Sequence, residues 1–146
     1  MKVMIGVDDS AHAETTVAFV RRMSWPADTA MIVVSAVQLP SVAYSSSESF
    51  APTTIDTGTW LKDLTKLHEG LASRAARKLA DEGFQTQSRV LQGDPREALI
   101  DEAKKERADL LVVGSHGRTG LEKLLMGSVA SHVVTHAPCS VLVVKR

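Results

Sequence analysis

The sequence predicts an α/β protein: a single three-layer α/β/α domain with a five-stranded parallel sheet between two layers of helices. Short runs rich in β-branched apolar residues alternate with stretches of helical periodicity, which is the order expected of successive β-α-β units. Most of the predicted strands are apolar along their whole length, as is typical of parallel strands covered by helices on both faces. The 146 residues suit one domain with its own core.

The strands are predicted from short apolar runs. Most of these runs, such as KVMIGV and AMIVVSAV, contain almost no polar residue and predict buried strands. The third, FQTQSRVLQ, alternates only weakly and is predicted at an outer position of the sheet. The predicted strands span Lys2–Val7, Ala30–Val37, Phe84–Gln92, Asp109–Gly114 and Cys139–Arg146.

The helices are predicted from apolar residues spaced three and four apart, together with start and stop signals. Ser10 is a suitable N-cap for the first helix, and Pro26 ends it. Gly83 terminates the second helix. Asp94 caps the third, with Pro95 at its first helical position. The predicted helices span Ser10–Trp25, Trp60–Glu82, Asp94–Arg107 and Ser128–Ala137.

One segment has no clear period. Gln38–Thr59 is rich in Ser, Thr and Pro, and it is long for a connection within a small domain. Segments of this kind are usually functional or mobile. No internal repeat and no second domain is visible, so the predicted domain spans residues 1–146.

Composition and charge exclude several classes of protein. The formal net charge is zero, which gives no electrostatic footprint for nucleic acid or an anionic membrane surface. The apolar runs are far shorter than the roughly 20 residues that a membrane-spanning helix needs. The amino-terminal run reaches acidic residues too soon for a signal peptide, and the single Cys139 excludes an internal disulfide bond. We therefore expect a cytoplasmic protein.

Three predicted strands end in unusual sequences. The first ends in GVDDS, the second in SAV before the Ser-rich segment, and the fourth in a glycine cluster that runs from Gly114 to Ser128. Ligands of open parallel sheets bind beyond the carboxyl ends of the strands, where the winding of the sheet reverses. If the first and fourth strands are neighbours, their ends form one crevice, and we expect a ligand there.

The glycine cluster GSHGRTGLEKLLMGS allows two interpretations. Glycines remove Cβ atoms and let backbone N–H groups approach a phosphate, and the last helix adds a favourable dipole. Ser128 is suited either to cap that helix or to donate its hydroxyl to a phosphate oxygen. The alternative is an ordinary glycine-rich turn. The dinucleotide-binding pattern G-x-G-x-x-G and the P-loop pattern G-x-x-x-x-G-K-[ST] are both absent.

Asp8 and Asp9 follow the first strand directly. One of them is expected to cap the first helix, which is a purely structural role. The other is placed to bind a ribose hydroxyl or a magnesium ion close to phosphates, since magnesium commonly takes one carboxylate together with substrate phosphates.

Other polar residues carry weaker signals. His116 and Arg118 lie inside the glycine cluster and are suited to contact a phosphate, although Arg118 is as readily a solvated surface charge. His132 and His136 are spaced i, i+4 and share a helix face. Two histidines alone make a weak metal site, and we expect both to be exposed to solvent.

The glycine cluster also carries a family resemblance. Gly114, Gly117, Gly127 and Ser128 fall in the pattern G-x2-G-x9-G-S, which resembles the ATP-binding signature of the universal stress protein family. VDDS resembles that family's first-strand ending, GDPREALIDEAKKERADLLVVGSHGRTG its third helix and fourth strand, and CSVLVV its last strand. The resemblance covers nearly the whole chain, apart from Gln38–Thr59.

The resemblance implies an adenine nucleotide alpha hydrolase-like fold with strand order 3-2-1-4-5. It implies a nucleotide, ATP or another adenine nucleotide, across the ends of the first and fourth strands. Asp8 would contact the ribose or a magnesium ion, and Ala36 would flank the adenine. Carried over position by position, the nucleotide-binding residues are Gly6, Val7, Asp8, Ala36, Val113, Gly114, Ser115, His116, Gly117, Arg118, Gly127, Ser128 and Val129.

The resemblance further implies a homodimer that pairs through the last strand, Ser140 to Lys145. The leading functional hypothesis is a cytoplasmic binding protein that responds to stress or energy state through its nucleotide. No residue stands out as an activated general base, so we do not expect an efficient enzyme. The alternatives are a slow ATPase or autophosphorylating enzyme, and an interaction protein for which the nucleotide is irrelevant.

Overall fold

A computed structural model describes residues 1–38, 57–116 and 126–145 of the chain. Strands and helices alternate throughout these ranges, as the sequence predicts. The elements are β1 (Lys2–Gly6), α1 (Ala11–Arg22), β2 (Ala30–Val37), α2 (Thr57–Ala80), β3 (Gln85–Gln92), α3 (Pro95–Glu106), β4 (Leu110–Gly114), α4 (Ser128–His136) and β5 (Ser140–Val144).

The strands form a parallel sheet in the order β3-β2-β1-β4-β5. This confirms both the predicted fold class and the strand order that the family resemblance implies. β1 is central: its Met4 pairs with Ile32 of β2 on one side and with Leu111 of β4 on the other. The winding therefore reverses at β1, and the carboxyl ends of β1 and β4 lie side by side, as the predicted crevice requires.

Alternating residues of the sheet contribute to two separate cores. Val3 and Ile5 face α1 and α2, and Met4 faces α3 and α4. All three side chains are fully buried, as expected for the central strand of a sheet covered on both faces. The weakly alternating β3 forms one edge of the sheet and is mostly half-buried or exposed.

The ends of several elements differ by a few residues from the prediction. Helix α1 stops at Arg22 rather than Trp25, and the indole of Trp25 donates a hydrogen bond to Val20 O at 2.9 Å. Helix α2 begins at Thr57, within the segment that the sequence left without structure. In the rest of that segment, Gln38 is described and residues 39–56 lie outside the described ranges.

Candidate nucleotide-binding site

A cavity of about 600 Å³ opens at the carboxyl edge of the sheet. It lies where the ends of β1, β2 and β4 meet the amino-terminal turns of α3 and α4. Ten of the residues predicted from the sequence line it: Gly6, Val7, Asp8, Ala36, Val113, Gly114, His116, Gly127, Ser128 and Val129.

Among the predicted residues that the structure describes, Ser115 does not line the cavity. Ser115 is only 2% exposed, and its backbone N–H and carbonyl groups form hydrogen bonds with neighbouring elements. Its N–H donates to Val144 O at 2.8 Å, and its carbonyl accepts from Gly127 N–H at 2.7 Å. Ser115 therefore ties β5 and the start of α4 to the end of β4. Gly117 and Arg118 lie outside the described residues.

The amino-terminal end of α4 opens into the cavity. Its N-cap is Gly127 and Ser128 is the first helical residue, so the structure excludes capping, one of the two roles considered for Ser128. Gly127 has no side chain, and among the described residues no side-chain hydrogen bond caps this helix. The first amide groups of a helix have no acceptor within the helix. Those of Ser128, Val129 and Ala130, all lining residues, therefore form an electropositive wall.

The other two helices that begin near this edge, α1 and α3, have side-chain N-caps. Ser10 Oγ accepts a hydrogen bond from Ala13 N–H at 3.2 Å and caps α1, as predicted. Asp94 accepts a hydrogen bond from Arg96 N–H at 2.9 Å and caps α3, also as predicted. Of these three helix starts, only that of α4 lacks a side-chain cap.

Asp8 is held by the cap of α1 without being the cap itself. Its Oδ1 accepts hydrogen bonds from the N–H of Ser10 at 3.0 Å and from the Ser10 hydroxyl at 2.5 Å. Asp8 is half-buried and lines the cavity, whereas Asp9 is exposed. Both of these hydrogen bonds from Ser10 engage Oδ1.

His116 lines the cavity next to α4. Its Nδ1 lies 3.1 Å from Ser115 Oγ, and its ring centroid lies 5.3 Å from that of His12 on α1. Nδ1 of His12 is buried without a hydrogen-bond partner among the described residues. Of the two histidines, His116 is among the residues that line the cavity.

Two glycines at the cavity lie in tightly packed surroundings. A Cβ on Gly114 would lie 3.1 Å from His12 Cβ and 3.3 Å from His12 O, so Gly114 allows α1 to approach β4. A Cβ on Gly6 would lie 3.3 Å from Leu99 Cδ2 and from Val113 Cγ1 on the opposite face of the sheet. Both glycines keep helices close to the strand ends that form the cavity floor.

Sequence reasoning missed a buried histidine at the β2 end of the cavity. His68 of α2 is 4% exposed and lines the cavity. Its Nδ1 lies 2.8 Å from Ser35 Oγ, and the Ser35 hydroxyl donates to Val7 O at 2.8 Å. No local pattern could have found it, because the contact depends on how α2 packs across β2.

Asp94 and Arg96, at the start of α3, also line the cavity. The guanidinium and backbone N–H of Arg96 lower the pKa of Asp94 from 3.8 to about 2. This pair could have been predicted from sequence, because Asp94 follows the carboxyl end of β3 and ligands of parallel sheets bind beyond such ends. The remaining lining residues that the sequence did not predict are Ala13, Val34, Gln38, Pro95, Leu99 and Ala130.

The described residues contain no group of three or more His, Cys, Asp or Glu side chains arranged to hold a metal ion. His132 and His136 stack on each other with ring centroids 4.2 Å apart, and His132 Nε2 lies 3.0 Å from Glu97 Oε1. Only His136 of the pair is exposed, so the expectation that both are exposed is wrong for His132. None of the helices within the described ranges is both long and apolar enough to cross a membrane.

The model of the universal stress protein family matches residues 1–145. The chain belongs to the universal stress protein family. The match runs through β1, β4 and α4, which carry the motifs on which the resemblance was recognised.

Individual members of the family are similar over different lengths. A universal stress protein of Staphylococcus epidermidis is 31% identical over 146 residues, which cover 98% of this chain and 82% of that protein. Universal stress protein MJ0531 of Methanocaldococcus jannaschii is 40% identical over 92 residues, 61% of this chain and 54% of the archaeal protein. The chain thus matches only about half the length of that relative.

The solved structures extend the likeness to the whole fold. Protein MJ0577 of M. jannaschii superposes with a TM-score of 0.83 at 26% identity, over 99% of this chain and 95% of that one. Two more distant structures are a universal stress protein in complex with cAMP, with TM-score 0.66 and 21% identity, and an Arabidopsis thaliana family member with AMP bound, with TM-score 0.66 and 20% identity. They cover 99% and 100% of this chain, and 96% and 92% of their own chains.

Proposed function

We propose that this universal stress protein binds an adenine nucleotide, ATP or a relative of it, in the cavity at the carboxyl edge of the sheet. The observation that carries the proposal is the uncapped amino-terminal end of α4, which opens into that cavity beside the end of β4. Solved relatives with the same fold hold cAMP and AMP, which is a second line of support.

The phosphates bind at α4. The amide groups of its first turn and the helix dipole attract anions, and Gly127 offers no side chain that would compete for the amides. His116 adds a polar ring at the same end of the cavity. Phosphate oxygens thus supply the cap that the helix lacks.

The ribose lies over Asp8, in the middle of the cavity. Oδ2 of Asp8 accepts a ribose hydroxyl or binds a magnesium ion, while Oδ1 stays fixed by Ser10. A magnesium ion would take most of its ligands from phosphates and water, since the described residues offer no carboxylate cluster. The base then extends toward the end of β2, beside Ala36.

The biological role that follows is binding. We assign no catalytic residue, and we propose that bound nucleotide switches a cytoplasmic homodimer formed through the last strand. The edge of β5 that faces away from β4 supports the dimer, because no strand of the described sheet covers it.

The decisive experiment is calorimetric titration of nucleotide-free protein with ATP, with and without magnesium, and with AMP and cAMP. It uses two variants of Gly127, whose φ of −69° and ψ of 160° any residue can adopt. Gly127→Asp caps α4 and places a carboxylate where the phosphates bind. Gly127→Asn caps the helix equally well without the charge.

We expect both variants to unfold at higher temperature than the parent, since each gains a helix cap. Gly127→Asp should bind ATP at least about tenfold more weakly than Gly127→Asn, because like charges repel strongly where water is excluded. Equal ATP affinity in the two variants would contradict the phosphate position. Absence of binding by the parent protein to every nucleotide would overturn the proposed function, and ADP appearing during incubation would point to hydrolysis.

A further inference from the structure

Arg96 brings a positive charge to the cavity that the proposed phosphate and ribose contacts do not use. It lies in the first turn of α3 and lines the cavity together with the carboxylates of Asp8 and Asp94. Among the described lining residues, no other Lys or Arg occurs. The phosphate chain of ATP carries several negative charges into the same cavity, so the place and the pairing of this guanidinium matter for binding.

The guanidinium of Arg96 is engaged by the N-cap residue of its own helix. Its Nε donates to Asp94 Oδ1 at 2.9 Å, and its Nη2 donates to Asp94 Oδ2. These two bonds use one edge of the guanidinium and leave Nη1 outside the pair. The planar fork of donors matches a phosphate as well as it matches a carboxylate. Asp94 therefore occupies an edge of the guanidinium that a phosphate would also use.

Separation of the two side chains would leave α3 capped. The backbone N–H of Arg96 donates to Asp94 Oδ1 at 2.9 Å, and this bond does not depend on where the guanidinium lies. The carboxylate also keeps the favourable dipole of the helix start. The side chain of Arg96 is 48% exposed, and ion pairs so exposed contribute little to stability. The guanidinium can therefore change its partner at small cost.

The first turn of α3 lies against the first turns of α4. Glu97 follows Arg96 directly, and its Oε1 lies 3.0 Å from Nε2 of His132. His132 is one helical turn, about 5.4 Å, beyond Ser128 and on the same face of α4. Arg96 thus lines the cavity at the junction of α3 with the helix whose amides are proposed to bind the phosphates.

We propose that Arg96 makes the site selective for nucleotide di- and triphosphates over monophosphates by exchanging Asp94 for a terminal phosphate. The inference rests on the proposed nucleotide-binding function and names the residue that responds to the length of the phosphate chain. The free amides in the first turn of α4 suffice for one phosphate group. A longer chain needs a further donor at the same junction, and the guanidinium turns from Asp94 to supply it. A monophosphate leaves the pair of side chains intact.

The test compares ATP with AMP by calorimetric titration without magnesium, which would neutralise the same phosphates. Arg96→Gln should bind ATP at least about tenfold more weakly than the parent protein does, and AMP within about twofold of the parent. An unchanged ATP affinity, or an equal loss for both nucleotides, would overturn the role of Arg96 and leave the nucleotide-binding function standing. Binding of neither nucleotide to the parent protein would overturn both.

Arg21→Gln provides the matched control. Arg21 lies in the last turn of α1, where its guanidinium pairs with Glu82 in an ion pair that is also exposed. The change removes the same charge from the protein at a residue that does not line the cavity. Its ATP affinity should stay within about twofold of the parent's, since surface charges far from a ligand are screened by salt. A loss as large as that of Arg96→Gln would overturn the proposal.

A double-mutant cycle with Asp94→Asn separates the exchange of partners from simple neutralisation of charge. Asparagine keeps the N-cap of α3 and does not hold the guanidinium as an ion pair. Asp94→Asn should bind ATP about fivefold more tightly than the parent, because Arg96 is free and the repulsion from the carboxylate is gone. In the Arg96→Gln background only the repulsion is removed, so the gain should be at most about twofold. A gain in that background that is equal or larger would mean that Arg96 only neutralises Asp94, and would overturn the proposal.

Discussion

Gly114 shows that one residue can serve packing and a binding site at once. Its position at the end of an apolar run predicted a role close to phosphates, and it does line the cavity. The side chain that it avoids, however, would crowd His12 of α1, a helix that packs on the opposite face of the sheet from α4. Residues 12 and 114 are remote in sequence, so only the tertiary structure reveals this second constraint.

Gly114→Ala should lower the free energy of unfolding by about 1–2 kcal/mol. The added Cβ would lie 3.1 Å from His12 Cβ and 3.3 Å from His12 O, and the backbone of α1 would have to move away. The measurement is urea denaturation followed by circular dichroism. A free energy equal to that of the parent would mean that α1 shifts without cost.

Gly70→Ala provides the matched control. Gly70 lies within α2, and a Cβ there would meet only Nη1 of Arg74 at 3.1 Å, the movable end of a long side chain. Alanine is the better helix former, so this variant should be more stable than the parent by about 0.5–1 kcal/mol. The opposite signs of the two changes would separate the close approach at Gly114 from a general effect of glycine replacement.

The other residues of the site could be predicted to different degrees. Motif positions such as Asp8 and Gly127 were found from sequence because their spacing to a strand end or helix start is local. Ser115 was predicted as a motif position, but its N–H and carbonyl groups form hydrogen bonds with the backbone of Val144 and Gly127. His68 was not found, because its place depends on which face of α2 packs on β2.

At the scale of elements, α1 and α3 begin with a side-chain N-cap, whereas the N-cap residue of α4 provides none. The caps Ser10 and Asp94 were predicted, since Ser and Asp directly before an apolar periodic stretch are strong start signals. The start of α4 at Ser128 was predicted as well, but its N-cap is Gly127, so Ser128 does not cap the helix as the same rule would suggest. Because Gly127 has no side chain, the N-cap residue of α4 cannot cap the amides of its first turn with a side chain.

Helix α3 should show a pH-dependent contribution from its cap. Arg96 lowers the pKa of Asp94 from 3.8 to about 2 in the folded state. A depressed folded-state pKa means that the stabilisation is complete above the ordinary pKa and is lost as the pH falls through about 2. Asp94→Asn keeps a good N-cap without the charge. Its stability deficit, below about 1 kcal/mol for so exposed a pair, should therefore shrink between roughly pH 4 and 2.

Urea denaturation of parent and Asp94→Asn at several pH values measures this difference directly. A second variant, Arg96→Gln, removes the side chain that lowers the pKa most and leaves the backbone bond to Asp94. It should reduce the pH dependence without abolishing it. A deficit of Asp94→Asn that stays constant down to pH 2 would show that the charge of Asp94 does not stabilise α3.

At the scale of the whole molecule, the alternation of apolar runs and helical periods was enough to predict the fold class. Most element ends were predicted within three residues, because Pro, Gly and capping residues mark them. The strand order came from the family resemblance, since nothing local decides on which side of β1 the strand β4 is added. The weak alternation of β3 did indicate its edge position correctly.

The opposite edge of the sheet, β5, supports the proposed homodimer. Val144 O accepts a hydrogen bond from Ser115 N–H, so the polar backbone groups of Val144 point toward β4. Successive residues of a strand alternate in direction, so the N–H and C=O of Val143 point away from the sheet. A second copy of the chain that pairs along this edge would need the N–H of Val143.

Val143→Pro should therefore convert the dimer to a monomer with little loss of secondary structure. Proline removes the outward N–H, and edge strands tolerate it where that N–H does not serve the sheet. Val143→Thr, which keeps both the N–H and a β-branched side chain, should remain dimeric. Sedimentation equilibrium over a range of concentrations checks both variants against the parent protein. A parent protein with the mass of one chain at all concentrations would contradict the dimer, and a dimeric Val143→Pro would move the interface away from this edge.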